Sequence, residues 1–199
     1  MKSNKLFLAT VFCMMAMYSS AQFFGGMTDA RDGKTYRTVQ IGSQLWMADN
    51  LAYKVPDGSW VMDWKESNLK PYGYLYNFEA AKKACPSGWH LPSDAEWLAL
   101  VKYLGGETVA GGKLKEKGSA HWQPSNTGAT NSTGFTAVPG GNYLYLEGKF
   151  PGKDGGYYWS STEHDATNAL YHYMLSHSNN IFRTYYLKTS GLSVRCIAN

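Results

Sequence analysis

Residues 77–106, NFEAAKKACPSGWHLPSDAEWLALVKYLGG, carry the strongest local signals in the chain. Asn77 is a good helix N-cap, because its side-chain oxygen can accept from a first-turn amide. Phe78, Ala81, Ala84 and Cys85 fall on one face of a short helix, which Pro86 cannot continue. A second helix starts at Ser93, which forms a capping box with Glu96 three residues on. Asp94 suits the positive end of the helix dipole, and Pro92 can staple onto Trp97. Trp97, Leu100, Val101 and Leu104 make an apolar stripe, and Gly105 closes the helix. The spacing predicts two short helices separated by a tight turn and a brief extended piece.

Upstream, Lys2 and Lys5 precede a largely apolar run over residues 6–17, followed by Ser19-Ser20-Ala21. That order is an export signal, and the run is too short for a membrane span, which needs about 20 residues. Cleavage is expected between Ala21 and Gln22, leaving residues 22–199 as one domain. Cys13 follows the bulky Phe12 rather than a small residue, so no lipid anchor is expected. The formal charge is +4, two units of which come from Lys2 and Lys5. No basic cluster gives a footprint for nucleic acid, and no second apolar run is long enough to cross a membrane. All seven Trp and every Tyr but Tyr18 follow residue 21, alongside 21 Gly. Such a composition favours short strands, long loops and little helix.

Cys85 and Cys196 survive cleavage, and an even pair in an oxidising compartment reads as a disulfide. It would tie the end of the first helix to the last strand. A closed loop of roughly 100 residues corresponds to about 4.7 kcal/mol in the chain-entropy model, an upper guide. A reactive thiol pair is the alternative, but the two lack C-x-x-C spacing.

Around the helices, residues 29–53 read as a hairpin turning at Asp32-Gly33, then a further turn and strand through Gly42 to Trp46. Residues 54–72 read as a long ordered loop. The segment 105–142 is Gly-rich and mostly loop, with one helical turn at Lys113–Lys117 and with Trp122, Phe135 and Val138 pinning it to the body. Tyr143 to Phe150 reads as a hairpin about Glu147-Gly148. The last third is a β-meander through Tyr157–Ser160, Leu170–His177, Ile181–Leu187 and Leu192–Ile197. The class is α+β, two short helices packed on small antiparallel sheets with long ordered loops.

Several pieces, in order, resemble the Fibrobacter succinogenes major paralogous domain: DGKTYRTVQIGSQLWMADNL, YGYLYNFEAA, ACPSGWHLPSDAEW, GFTAVPGG, YYWSSTE and GLSVRC. Together they cover about residues 29–197. The resemblance implies an extracellular or surface-attached protein, with adhesion or glycan binding suggested, and no established activity. A more distant likeness is to the C-type lectin fold, in which a helix ends in a cysteine, a His-Leu strand follows and a second helix contains a Glu. Cys85, His90-Leu91 and Glu96 reproduce that order, with Cys196 at the partner position. LPSDAEW also resembles a segment of the sulfatase-modifying (formylglycine-generating) group, whose paired active-site cysteines have no counterpart here.

Signals for chemistry are sparse. Gln123-Pro124-Ser125-Asn126 has a superficial likeness to a calcium-lectin motif, and Glu163, Asp165 and Asn168 could add the oxygens that hard cations require. The competing reading is a Pro turn and a polar loop. His164, His172 and His177 lack helical zinc spacing, and His172 and His177 face opposite ways on one continuous strand. His90 reads as a turn or core histidine, and Asp94 and Glu96 as helix caps. No G-x-S-x-G elbow is present, and Ser160 to Asp165 are sequence neighbours rather than convergent triad members. The aromatic excess remains. Trp46, Trp89, Trp97 and Trp159 are expected as core plugs. Trp60, Trp64, Trp122 and Tyr145 lie in loop-like surroundings and are the ligand-binding candidates, a buried role competing with a binding one. The expected function is a secreted or cell-surface, non-catalytic recognition module for a glycan or surface protein. It would need no cofactor, calcium being the one candidate, and would use the loops around 105–142 and 160–169. A structural subunit of a surface appendage or matrix is the alternative, and an enzyme related to the sulfatase-modifying group the third.

Overall fold

The tight-turn pair Asp32-Gly33 gives the chain its first hairpin. In the computed structural model, which describes residues 24–199, β1 (Phe24–Thr28) pairs antiparallel with β2 (Thr35–Ile41). The expected export signal and its Ala21–Gln22 cleavage point lie outside the described residues. Gly33 sits at φ 72°, and its N–H donates to Asp29 O at 2.8 Å. β3 (Gln44–Met47) returns along β2, with Val39 opposite Trp46.

The segment 54–72 is more structured than a loop. It holds β4 (Ser59–Trp60), two short 3-10 turns and α1 (Leu69–Tyr72). β5 (Leu75–Tyr76) leads into α2 (Phe78–Ala84), where Asn77 Oδ1 accepts from the Ala80 N–H at 2.8 Å. After β6 (Trp89–His90) comes α3 (Asp94–Tyr103), with both halves of the expected capping box formed. At its end the Gly106 N–H donates to Val101 O and the Gly105 N–H to Lys102 O, a Schellman closure with both glycines at positive φ.

A fourth helix, α4 (Glu107–Leu114), occupies the start of the segment expected to be loop, so the described residues hold four α-helices where two were expected. The helical turn expected at Lys113–Lys117 instead ends at Leu114, because Lys115 turns extended and inward. Lys115 is fully buried, and its Nζ donates to Thr127 O, Leu175 O and Ser178 O at 2.8–3.0 Å. Burial pushes its ammonium down to about 8. The bonds to Leu175 and Ser178 anchor the Gly-rich segment to the hairpin over residues 168–187, and the bond to Thr127 ties the segment to itself.

The meander consists of β7 (Gly155–Glu163), β8 (Asn168–Leu175), β9 (Ile181–Leu187), β10 (Leu192–Ser193) and β11 (Ile197–Ala198). One sheet has the order β1-β2-β3-β11-β6, and the other β4-β5-β10-β7-β8-β9. Among these strands every pairing is antiparallel except β10 with β7. The last strand is therefore internal to its sheet, between β3 and β6. The Cys85–Cys196 disulfide fastens the end of α2 beside it. Trp46, Trp97, Phe135 and Tyr158 form one core cluster, and Tyr76, Phe78, Trp159 and Cys196 belong to the other. Trp46, Trp97 and Trp159 are core plugs as expected, while Trp89 is only partly buried. The architecture is mixed α+β with small, mostly antiparallel sheets and one disulfide.

Candidate functional site

Three of the four ligand-binding candidates converge on one surface. Trp60 comes from β4, Trp64 from the 3-10 turn after it, and Tyr145 from the 143–150 hairpin. Tyr143 joins them, with its ring centroid 4.6 Å from Trp60, 5.6 Å from Trp64 and 4.7 Å from Phe150. Trp64 also meets Phe150 edge-on at 5.4 Å, and Tyr145 lies 6.0 Å from Trp60. Tyr143 is the buried hub, while Trp64 is 62% and Tyr145 55% exposed.

The backbone is shaped to project these rings. Asp63 and Trp64 both occupy the left-handed region, at φ 56° and 57°. For L-residues that conformation costs about 1–2 kcal/mol each. It is held by the Trp64 N–H donating to Val61 O at 3.0 Å and by Lys153 Nζ donating to Asp63 Oδ2 at 2.8 Å. On the other side, Tyr143 bridges Gly191, and Leu144 bridges Lys149 to close the expected hairpin. A Cβ at Gly191 would stand 2.9 Å from the Trp60 ring and 3.0 Å from Tyr143 Cβ, so only glycine lets the two rings approach. Beside Trp64 a shallow hollow of about 440 Å³ is lined by Asp63, Lys149, Phe150 and Lys153 among others. Flat aromatic faces rimmed by lysine and carboxylate can stack on the C–H face of a sugar ring and meet its hydroxyls.

Trp122 does not belong to this surface. It is 2% exposed, and its Nε1 donates to Ala137 O at 2.9 Å, so it is a pin of the Gly-rich loop rather than a surface ring. The calcium candidates do not converge either. Asp165 caps the β7–β8 turn, its Oδ1 accepting from the N–H groups of Thr167 and Asn168 and its carboxylate from the Asn168 amide. These bonds, that of Asn168 foremost, hold its carboxyl well below the usual range. Glu163 accepts from Lys188 Nζ at 2.9 Å. Asn126 bonds Glu116 O and Gly118 O, in a loop whose next residue, Thr127, donates to Ser176. Asn168 and Ser176 are at opposite ends of β8, which at ~3.3 Å per residue puts them over ~20 Å apart. Calcium cannot draw on both ends with ligand distances of about 2.3–2.6 Å. Among the described residues, no group of three His, Cys, Asp or Glu side chains is placed to hold a metal ion.

Asp94 is more than a cap. His172 Nε2 lies 3.1 Å from its Oδ1, and Arg183 reaches both oxygens at 2.7 and 2.9 Å. These bonds, with His172 first, hold the Asp94 carboxyl far below its ordinary value. His172 is buried and stacks on Trp97 at 5.1 Å, and burial pushes its imidazole down against the opposing pull of Asp94. His90 is partly exposed and bridges Glu96 and Asn199 at 2.8 Å each.

A larger cleft of about 900 Å³ lies between β2, the segment after β3, α1 and the loop after α4. Arg37 donates from Nε to Asp49 Oδ1 at 3.0 Å and from its main-chain N–H to Oδ2 at 2.7 Å. Burial raises the Asp49 carboxyl, but these bonds outweigh it and leave it below its ordinary value. His121 Nδ1 lies 2.9–3.0 Å from the Glu116 carboxylate. Arg195 forms the floor. Sequence reasoning singled out none of these residues, since they come together from positions far apart in the chain. Tyr143 and Phe150 were legible as hairpin residues, and the period of two linking Tyr143 to Tyr145 is the signal that places both on one face.

Searches of curated proteins and of solved structures both returned no match. The model of the Fibrobacter succinogenes major domain matches residues 39–198, from the middle of β2 to the end of β11. The chain thus belongs to the Fibrobacter succinogenes major domain family.

Proposed function

We propose that the protein is an exported, non-catalytic recognition module that binds a glycan through the Trp60–Trp64–Tyr145 surface. The observation that carries this reading is the projection of Trp64. Two consecutive non-glycine residues adopt a costly conformation, and the result is an exposed indole resting on other rings. Strain of this kind clusters at binding surfaces because the surrounding structure must hold it in place. The non-catalytic part is supported by the internal commitments of Asp94, His172 and Arg183 to one another. Export is supported by residues 1–21 as read in the sequence. A C-type-lectin-like arrangement is supported by Cys85 at the end of α2, the Trp89–His90 strand, Glu96 in α3 and Cys196 beside the last strand.

The test is a glycan array probed with the protein with and without calcium, beside the Trp64→Ala/Tyr145→Ala variant. Binding that falls at least about tenfold in the variant, while stability moves by less than about 1.5 kcal/mol, is the expected outcome. Silence across the array sinks the lectin reading. Leu146, 80% exposed at the hairpin tip, favours the second reading, an assembly subunit of a surface structure. That reading predicts self-association in light scattering that Leu146→Asp abolishes.

A further inference from the structure

We propose, building on the glycan reading, that the Trp64 surface continues across Pro151 into a tyrosine-lined pocket. The two together bind a neutral oligosaccharide, one ring stacked on Trp64 and the next held in the pocket. The pocket holds about 250 Å³ and is lined by Tyr157, Tyr171 and Tyr186 with Asn142, Pro151 and Gly152 among others. That is roughly the liquid volume of eight water molecules at about 30 Å³ each, room for one sugar ring. Pro151 is exposed and lines both this pocket and the hollow beside Trp64, so it is the ridge between them. Chain neighbours divide between the two halves. Tyr143 and Gly191 build the aromatic surface, while Asn142 and Leu192 beside them line the pocket. Phe150 and Gly152 flank the ridge in the same way. Two residue steps span at most about 7 Å, so one oligosaccharide reaches both halves.

The lining points to a ligand with hydroxyl groups. Tyr171 is 8% exposed, yet its hydroxyl has no hydrogen-bond partner among the described residues. Among those residues the side-chain atom sealed from solvent without a partner is Asn126 Oδ1, so the Tyr171 hydroxyl opens on the pocket it lines. A buried polar group left open in this way needs a partner from outside the chain. Beside it the Asn142 amide donates to the Tyr186 hydroxyl at 3.2 Å, which leaves that hydroxyl its own proton to donate. The wall is rigid, with Tyr173 stacked 5.6 Å from Tyr157 and 5.4 Å from Tyr171. Gly152, at φ 68°, keeps the pocket open, since a Cβ there would stand 2.5 Å from Asn142 Oδ1 and 2.9 Å from the Tyr157 hydroxyl. No acidic or basic side chain lines the pocket, and burial pushes the Tyr157 phenol up to about 12 and raises that of Tyr171, so both stay neutral. Across the ridge Lys153 is paired with Asp63 and Lys149 with Glu147. A charged sugar would lose hydration here and meet no free counter-charge, whereas a neutral one exchanges water for hydroxyls and ring faces.

Titration calorimetry with maltotetraose, cellotetraose, mannotetraose and N-acetylchitotetraose, each beside its monosaccharide, tests the proposal, with tetragalacturonate as the charged control. At least one neutral tetramer is expected to bind about tenfold or more tightly than its monosaccharide and than the uronate, because the second ring binds as part of one molecule. Tyr171→Phe removes only the unpartnered hydroxyl, so it should weaken that tetramer at least about threefold with an unchanged melting temperature. Tyr157→Phe, on a partly exposed ring of the same pocket, should act in the same direction. Trp64→Ala/Tyr145→Ala should weaken the tetramer at least about tenfold. The joint site is overturned if the monosaccharide or the uronate binds as tightly as every tetramer, if both phenylalanine variants bind like the native protein, or if the aromatic double variant keeps full affinity. Failure of all four tetramers to bind also overturns it, and the glycan array then shows separately whether the glycan reading falls with it.

Discussion

Asp94 shows how one side chain can satisfy a local rule and still have its main role elsewhere. At the first position of α3 it complements the helix dipole, yet its carboxylate is taken by His172 on β8 and Arg183 on β9. The pH dependence of folding follows from both partners. Burial lowers the His172 imidazole, so below its unfolded value near 6.5 the unfolded chain takes up a proton that the fold resists. Stability then falls as pH drops through that range. The Asp94 carboxyl is lowered, so its contribution is complete above the unfolded value near 3.9 and is lost as pH falls further. Melting temperature should thus decline in two stages, one as pH drops below about 6.5 and one that begins below about pH 4 and continues to lower pH. Asp94→Asn should cost about 2 kcal/mol at pH 7, below the range for fully buried pairs because the Arg183 side chain is 41% exposed. It should also flatten the lower stage, and parallel melting curves for the two proteins would contradict this account.

Among elements, α3 and α4 mark the boundary of what local sequence reveals. The α3 capping box, stripe and terminal glycines all lie within one stretch, so its start and end were readable directly. α4 carries Gly111-Gly112 in its body, and glycine is a poor helix former, so the same reasoning assigned it to loop. Its glycines answer to tertiary packing. A Cβ at Gly111 would stand 2.2 Å from Asn180 O, and the Gly112 N–H donates to Asn179 O at 2.9 Å. The helix thus receives the β8–β9 turn directly against its backbone. In an open helix Gly→Ala stabilises by about 0.5–1 kcal/mol. Here Gly111→Ala should instead destabilise by about 1–3 kcal/mol, since backbone must move to admit the methyl group. Chemical denaturation gives the sign, and a stabilised variant would show that the contact yields freely.

At the scale of the whole molecule, the two halves of the aromatic surface lie on opposite sides of the first disulfide cysteine. Trp60 and Trp64 precede Cys85, while Tyr143, Tyr145 and Gly191 lie within the loop that Cys85 and Cys196 close. This is why the sequence could nominate Trp60, Trp64 and Tyr145 one by one but could not show that they meet, nor that Trp122 turns inward. The cleft has the same origin, since Arg37 and Asp49 precede Cys85 and Glu116, His121 and Arg195 follow it. The cysteine pairing itself was legible, because the expected export signal contains Cys13 and leaves Cys85 and Cys196 as one pair. Its closure, 111 positions apart, holds β10 and β11 where they join the two halves. Removing a disulfide of a small secreted domain costs about 2–5 kcal/mol. For a chain of this length each kcal/mol lowers the melting temperature by about 2–4 °C. The Cys85→Ala/Cys196→Ala variant should therefore melt about 5–15 °C lower in calorimetry, and the native protein should approach that value under reducing conditions. A loss smaller than about 3 °C would mean that hydrogen bonds such as Met47 N–H to Cys196 O and Leu51 N–H to Val194 O hold the terminal segment in place unaided.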